Sequence, residues 1–158
     1  VDLHQKRRRS LDEPGCFASP SFAGFLRDAA TDLMAVGKLR LSWIEIEDQP
    51  AAVEFQIAGD HVTYAYQAGV DPELLDEEPG RIINIATIQQ AIDEGQQAFD
   101  FLRGDEPYKA HWRSHPHATT TYRVVPKKAL SQMRHGIWLA GDNVKQWVKS
   151  GLELAGMR

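Results

Sequence analysis

The residues best suited to chemistry crowd into one segment, Phe99-Asp100-Phe101-Leu102-Arg103-Gly104-Asp105-Glu106-Pro107-Tyr108-Lys109. Phe99 and Phe101 alternate with Asp100, so a strand would turn the Asp100 carboxylate to the opposite face. There it can take a proton or orient an amine; equally, it can pair with Arg103 or Arg123. Gly104 permits a sharp exit from the strand, and Arg103 and Asp105 beside it either shape the turn or touch a substrate. Tyr108 and Lys109 follow in what reads as a short helical turn from Glu106 to Trp112. A tyrosine there can donate a proton or pack against Trp112. A lysine there is a solvated cation or a hand for an oxyanion or a phosphate.

Other reactive residue types carry less. His111, His115 and His117 lie close in sequence, but Pro116 breaks the segment and no cysteine or carboxylate pair accompanies them. A zinc site needs ligands in fixed geometry, so no metal is expected. The run Lys6-Arg7-Arg8-Arg9 has no interleaved aromatics and reads as a solvated helix face before an anion grip. Cys16 is the single cysteine; it excludes an internal disulfide and fits a reducing, cytoplasmic compartment.

The elements that must hold these residues follow from periodicity. Ser19 can cap and Pro20 open a helix through Phe22, Phe25, Leu26, Ala29, Ala30 and Leu33, ended by Gly37. Alternation then predicts an antiparallel meander from Leu39 to Ala68. A phase shift at Ile44 marks a bulge, and Gly59-Asp60 marks a hairpin. Pro79 starts a second helix, with Ile82, Ile85, Ile88 and Ile92 as its buried stripe and Gly95 as its end. Gln97 to Leu102 reads as a short strand, and the β-branched run Thr119 to Val125 as a last one. From Lys128 the pattern is helical, with Leu130, Met133, Ile137, Val144, Trp147, Val148, Gly151 and Ala155 on one face. Gly136 and Gly141 leave one or two helices open.

A chain of 158 residues, 42% hydrophobic and 25% charged, suits one domain with its own core. The net charge of -4 gives no support to a DNA-binding role. No apolar run reaches the roughly 20 residues of a membrane span, and the polar, basic start does not read as a signal peptide. Val1 to Arg9 reads as the middle of a helix, so an N-terminal part is expected to precede it.

The segment FDFLRGDEPYKAHW, Phe99 to Trp112, closely resembles the signature of the cellulose-biosynthesis-associated (CelD-like) branch of the GNAT acetyltransferases, a branch related to the Fem-type aminoacyl transferases. EPGCF (Glu13 to Phe17), AGVDPE (Ala68 to Glu73) and EPGRII (Glu78 to Ile83) are similar to that branch in the same order. The resemblance covers roughly Leu3 to Val125. It implies an α+β fold: a GNAT-like mixed, mostly antiparallel sheet flanked by helices, with domain 1–126 and a C-terminal helical extension 127–158 packing on it. It implies that the chain is a C-terminal lobe, with a GNAT-like N-terminal lobe missing.

The resemblance further implies transfer of an acyl group from acetyl-CoA or another acyl-CoA to a small-molecule amine or sugar acceptor, a cell-envelope or polysaccharide precursor. Asp100, Tyr108 and Lys109 become the expected catalytic residues, with Tyr108 protonating the leaving thiolate. Arg103, Gly104, Asp105 and Trp112 are expected to bind substrate. Gly80 and Arg81, at the start of the second helix, are expected to hold the cofactor's phosphates. Asp76, Glu77 and Glu78 beside them repel phosphate, which keeps two other readings open: an aminoacyl-tRNA donor, and a non-catalytic module whose Trp138- and Trp147-bearing tail docks a partner or a membrane surface.

Overall fold

The computed structural model describes the backbone of residues 1–154 and the side chains of residues 1–144. The chain divides into two compact units, Val1–Ser114 and His115–Arg158.

The first unit is a four-stranded sheet in the order β1-β2-β3-β4. Helix α1 (Asp2–Arg9) and helix α2 (Pro20–Ala35) precede it. Ser19 caps α2 by accepting from the Phe22 N–H at 3.4 Å, with Pro20 in the first turn, as the sequence predicts. Strands β1 (Leu39–Ile46), β2 (Gln49–Ala58) and β3 (Val62–Val70) form the antiparallel meander. The register shifts between Ile44 and Glu45, where the apolar phase changes. A second shift, between Phe55 and Gln56, inserts Tyr66 as an extra residue of β3 and brings its ring to 5.9 Å from that of Phe55.

From β3 the chain passes through a 3-10 turn (Pro72–Glu77) and helix α3 (Pro79–Asp93) to β4 (Ala98–Asp100), which lies parallel to β3. A parallel neighbour requires such a crossover. Helix α4 (Pro107–His111) follows. Helix α3 buries Pro79, Ile83, Thr87 and Ala91. The expected stripe is therefore displaced: Ile82, Ile85 and Ile92 are exposed, and Ile88 is half-buried. Isoleucines lie nearly all round this helix, so periodicity alone could not choose the face.

The sheet is covered on both faces. Paired residues share a face, so Leu41, Val53, Phe55 and Gly69 lie on one side. There α1 approaches so closely that a side chain at Gly69 would collide with the backbone of His4. Lys6 of α1 clamps this packing with an ion pair to the buried Asp71, at 2.9 Å. On the other side lie Ala52, Glu54, Gln56, Ala65 and Ala68, small or polar residues; α3 meets this strip where Thr87 reaches Glu54.

In the second unit no strand forms at Thr119 to Val125; the segment is irregular up to α5 (Ala129–Leu154). Its β-branched residues meet no strand to pair with, and propensity without a partner makes no sheet. Gly136 and Gly141 do not interrupt α5. The Arg123 guanidinium lies over the Trp138 ring, 3.3 Å from its centroid, a cation–π contact. The expected apolar positions Trp147, Val148 and Gly151 have side chains outside the described set, and Ala155 lies outside the described residues.

Candidate functional site

The site begins where β3 and β4 part. They pair only through Val62, Thr63 and Tyr64 against Ala98, Phe99 and Asp100. From Ala65 to Val70 the outer edge of β3 has no strand partner among the described residues. That edge offers backbone donors and acceptors to any extended chain laid beside it. The start of α3 stands at the far end of the edge, where Gly80 packs against Val70.

The register decides which side chains share this gap. Phe99 pairs with Thr63 and so shares its face, the face under α3, while Asp100 pairs with Tyr64 and faces away. The Phe99 and Phe101 rings are 5.1 Å apart, and Tyr108 packs edge-on against Phe101 at 5.9 Å. Tyr108 therefore packs on Phe101; Trp112 has His111 as its aromatic neighbour, at 5.7 Å. The phenol of Tyr108 is 47% exposed. Its pKa lies above the usual tyrosine value, through burial first and then the negative charges of Glu106 and Glu54, so it keeps its proton at neutral pH.

The turn after β4 is built by its own polar groups. Asp100 accepts the Leu102 N–H at 2.7 Å, closing an Asx-type turn in which Leu102 is left-handed. It forms no ion pair with Arg103 among the described residues, and Arg123 belongs to the other unit. Lys109 is 8% exposed. Its ammonium donates to the carbonyls of Leu102, Arg103 and Gly104, each at 3.2 Å. It also pairs with Glu106 at 2.7 Å. An ammonium has three hydrogens, and these acceptors engage all of them, so Lys109 clamps the turn. Gly104 has a φ of +123°, and a side chain there would strike the Glu106 carboxylate. Arg103 and Asp105 are exposed on the turn, and Trp112 is half-buried after α4.

At α3, Pro79 supplies no N–H, and the Arg81 N–H returns to the Glu78 carbonyl at 2.9 Å. The Arg81 guanidinium pairs with the Glu78 carboxylate at 2.8 Å. Gly80 keeps a free N–H, and its carbonyl accepts from Asn84. This helix start retains a dipole for an anion, but its one nearby cation is already neutralised by its own neighbour.

Sequence reasoning missed Glu54. It alternates with the apolar Val53 and Phe55 along β2, yet it is 3% exposed. Burial holds its carboxyl above the usual glutamate range; the Thr87 hydroxyl pulls the other way. Thr87 Oγ1 lies 2.9 Å from Glu54 Oε2 and 2.9 Å from the Ile83 carbonyl. Gln56 Nε2 and Thr63 Oγ1 on the same face are buried without partners. The available signal was the run of alanines around Glu54: small residues on a polar-looking face mark where a helix can lie close. Among the described residues no cluster of three metal-ligating side chains forms, and no helix is long and apolar enough to cross a membrane.

Residues 1–110 match the family profile described as "Acetyltransferase (GNAT) domain". No curated protein and no solved structure matches the chain significantly.

Proposed function

The chain belongs to the GNAT acetyltransferase domain family, and from that premise we propose that it is an N-acyltransferase moving an acyl group from acyl-CoA to an amine of a cell-envelope or polysaccharide precursor. The family supports the acyltransferase chemistry; the Phe99–Trp112 signature supports the cellulose-biosynthesis-associated branch and hence the acceptor class. The observation that carries the reading is the parting of β3 and β4 after three paired residues, with Tyr108 packed on Phe101 just beyond β4.

In this reading the pantetheine arm lies along the open edge of β3, where its amides complete the strand's hydrogen bonds. The phosphates lie toward Gly80 and Arg81. The acceptor amine attacks the thioester carbonyl and releases its surplus proton to water; the carbon–sulfur bond breaks, the departing thiolate takes the Tyr108 proton, and the half-exposed phenol regains a proton from water. The raised Tyr108 pKa suits an acid that must be protonated at neutral pH. Asp100 and Lys109 hold the turn that carries Arg103, Gly104 and Asp105 toward the acceptor, with Trp112 beyond it. Their contribution is then positional.

Calorimetry with acetyl-CoA and free coenzyme A, beside Tyr108→Phe turnover, tests this. Micromolar binding, about -8 kcal/mol, with a roughly 100-fold loss of kcat in Tyr108→Phe is the expected result. Absence of coenzyme A binding by folded protein refutes it. One observation favours a second reading, an aminoacyl-tRNA donor: Arg81 is neutralised by Glu78, with Asp76 and Glu77 nearby. That reading expects salt-sensitive tRNA binding in place of coenzyme A binding.

A further inference from the structure

We propose that the cavity beneath α2 receives the acyl chain of the donor, and that this donor is a medium-chain acyl thioester of about eight carbons. The proposal rests on the acyltransferase reading above and names the donor class that the reading leaves open.

The cavity begins with the sequence of α2. Ala23, Leu26 and Ala30 fall on one side of the helix. Alanines at two of these positions leave space over the sheet that leucines would fill. That space measures about 210 Å³, and Leu41 of β1, Phe55 of β2 and Phe17 wall it opposite α2. Leu41 and Phe55 are register partners and share that face of the sheet. Phe17 is held by its own neighbours, edge-on to His4 at 5.0 Å and tilted against Phe22 at 5.4 Å. The wall is therefore in place before a ligand arrives. Protein interiors leave few voids larger than a water molecule, so an apolar space of this size points to an occupant.

The place where the cavity meets β3 identifies that occupant. Gln67 and Ala68 of β3 also line it, and both belong to the stretch from Ala65 to Val70 that has no outer strand partner among the described residues. Gln67 pairs with Phe55, so its side chain shares the cavity's face while its backbone belongs to the open edge. Tyr66, the extra residue of the bulge, interrupts the ladder just before it. A donor whose pantetheine amides run along the open edge thus brings its acyl group to the cavity mouth. His4 stands at the same end, because α1 crosses Gly69 there. Burial, above all, holds the His4 imidazole below its ordinary pKa, so a neutral ring faces the chain at neutral pH. Arg27 of α2 borders the cavity from an exposed position, where its stem can cover apolar surface while its head stays in water.

The volume sets the chain length. An apolar cavity of about 150 Å³ holds a six-carbon ring; in proportion, 210 Å³ holds about eight carbons. An acetyl group would leave most of the space unfilled, and unfilled apolar space weakens a fold. Leu41 is 50% exposed, so the cavity opens to solvent at that end. A longer chain passes out into water there and gains little.

Calorimetry with free coenzyme A, acetyl-CoA, octanoyl-CoA and dodecanoyl-CoA tests the assignment. Each buried methylene raises affinity about four-fold, and ordering the chain offsets part of that. Octanoyl-CoA is therefore expected to bind roughly 100-fold more tightly than acetyl-CoA, with little further gain for dodecanoyl-CoA. NMR contacts between the octanoyl chain and the methyl groups of Leu26 and Ala30 are expected with it. Ala30→Phe fills the cavity and is expected to bring the octanoyl-CoA and acetyl-CoA affinities together; Ala23→Leu is the second variant should phenylalanine disturb the fold. Equal affinities for the two thioesters in wild type that binds free coenzyme A overturn this inference and leave the acyltransferase reading standing. An octanoyl preference that survives in the folded, filled variant places the chain elsewhere and overturns it as well. Absence of binding by every coenzyme A species overturns the acyltransferase reading itself, and free coenzyme A tells that outcome from the other two.

Discussion

Replacing Lys109 by methionine separates a clamp from a catalyst. Methionine keeps most of the apolar stem and removes only the ammonium. In the wild type that ammonium serves three carbonyls at 3.2 Å and a carboxylate at 2.7 Å. A hydrogen bond from a charged donor contributes about 1.5–3 kcal/mol when well made. The 3.2 Å distances are at the long end, so about 1 kcal/mol for each of the three is the better figure. The turn is exposed, and its carbonyls recover water when the ammonium leaves, which offsets part of that sum. Glu106 is 53% exposed, so the ion pair adds at most about 1 kcal/mol. The net expectation is a loss of about 2–3 kcal/mol, read by urea unfolding, with faster hydrogen exchange at Leu102 to Glu106. Acceptor KM should rise more than kcat falls, because the turn loses its shape while Tyr108 keeps its place on Phe101. A variant within about 0.5 kcal/mol of wild type, with the turn still protected and kcat abolished, would refute the clamp and return Lys109 to the chemistry itself.

Other expectations follow from single contacts. Gly104→Ala places a side chain at φ +123° against the Glu106 carboxylate, and should cost about 1–3 kcal/mol of stability by the same unfolding assay. Glu54→Gln should stabilise the fold at neutral pH. The folded carboxyl holds its proton above the ordinary glutamate value of 4.5, so between that value and the folded pKa the unfolded chain alone ionises, and wild type loses stability. The gain should vanish in unfolding measured below pH 4.5, where both states are protonated. Glu78→Gln should free Arg81 and tighten coenzyme A binding several-fold by calorimetry; no change would place the phosphates elsewhere. Ser19→Ala removes the α2 cap and should cost about 1 kcal/mol in thermal or urea unfolding.

The order of elements could be read from local chemistry alone. Ser19 and Pro20 open α2, alternation draws the meander, Ile44 marks the bulge, and Pro79 opens α3, because caps, φ limits and pleating act within a few residues. The signature from Phe99 to Lys109 likewise singled out the turn. Three matters needed the tertiary structure. With isoleucine on almost every side, α3 could bury either of two faces, and the polar strip of Glu54 and Gln56 beneath it selected the one bearing Thr87. Thr119 to Val125 has strand-forming side chains, but a strand exists only where another offers hydrogen bonds. Glu54 looks solvated in a one-sided sheet and is buried in this one, because helices cover both faces. Burial, and with it the charge of a carboxyl, depends on what the rest of the chain lays over it.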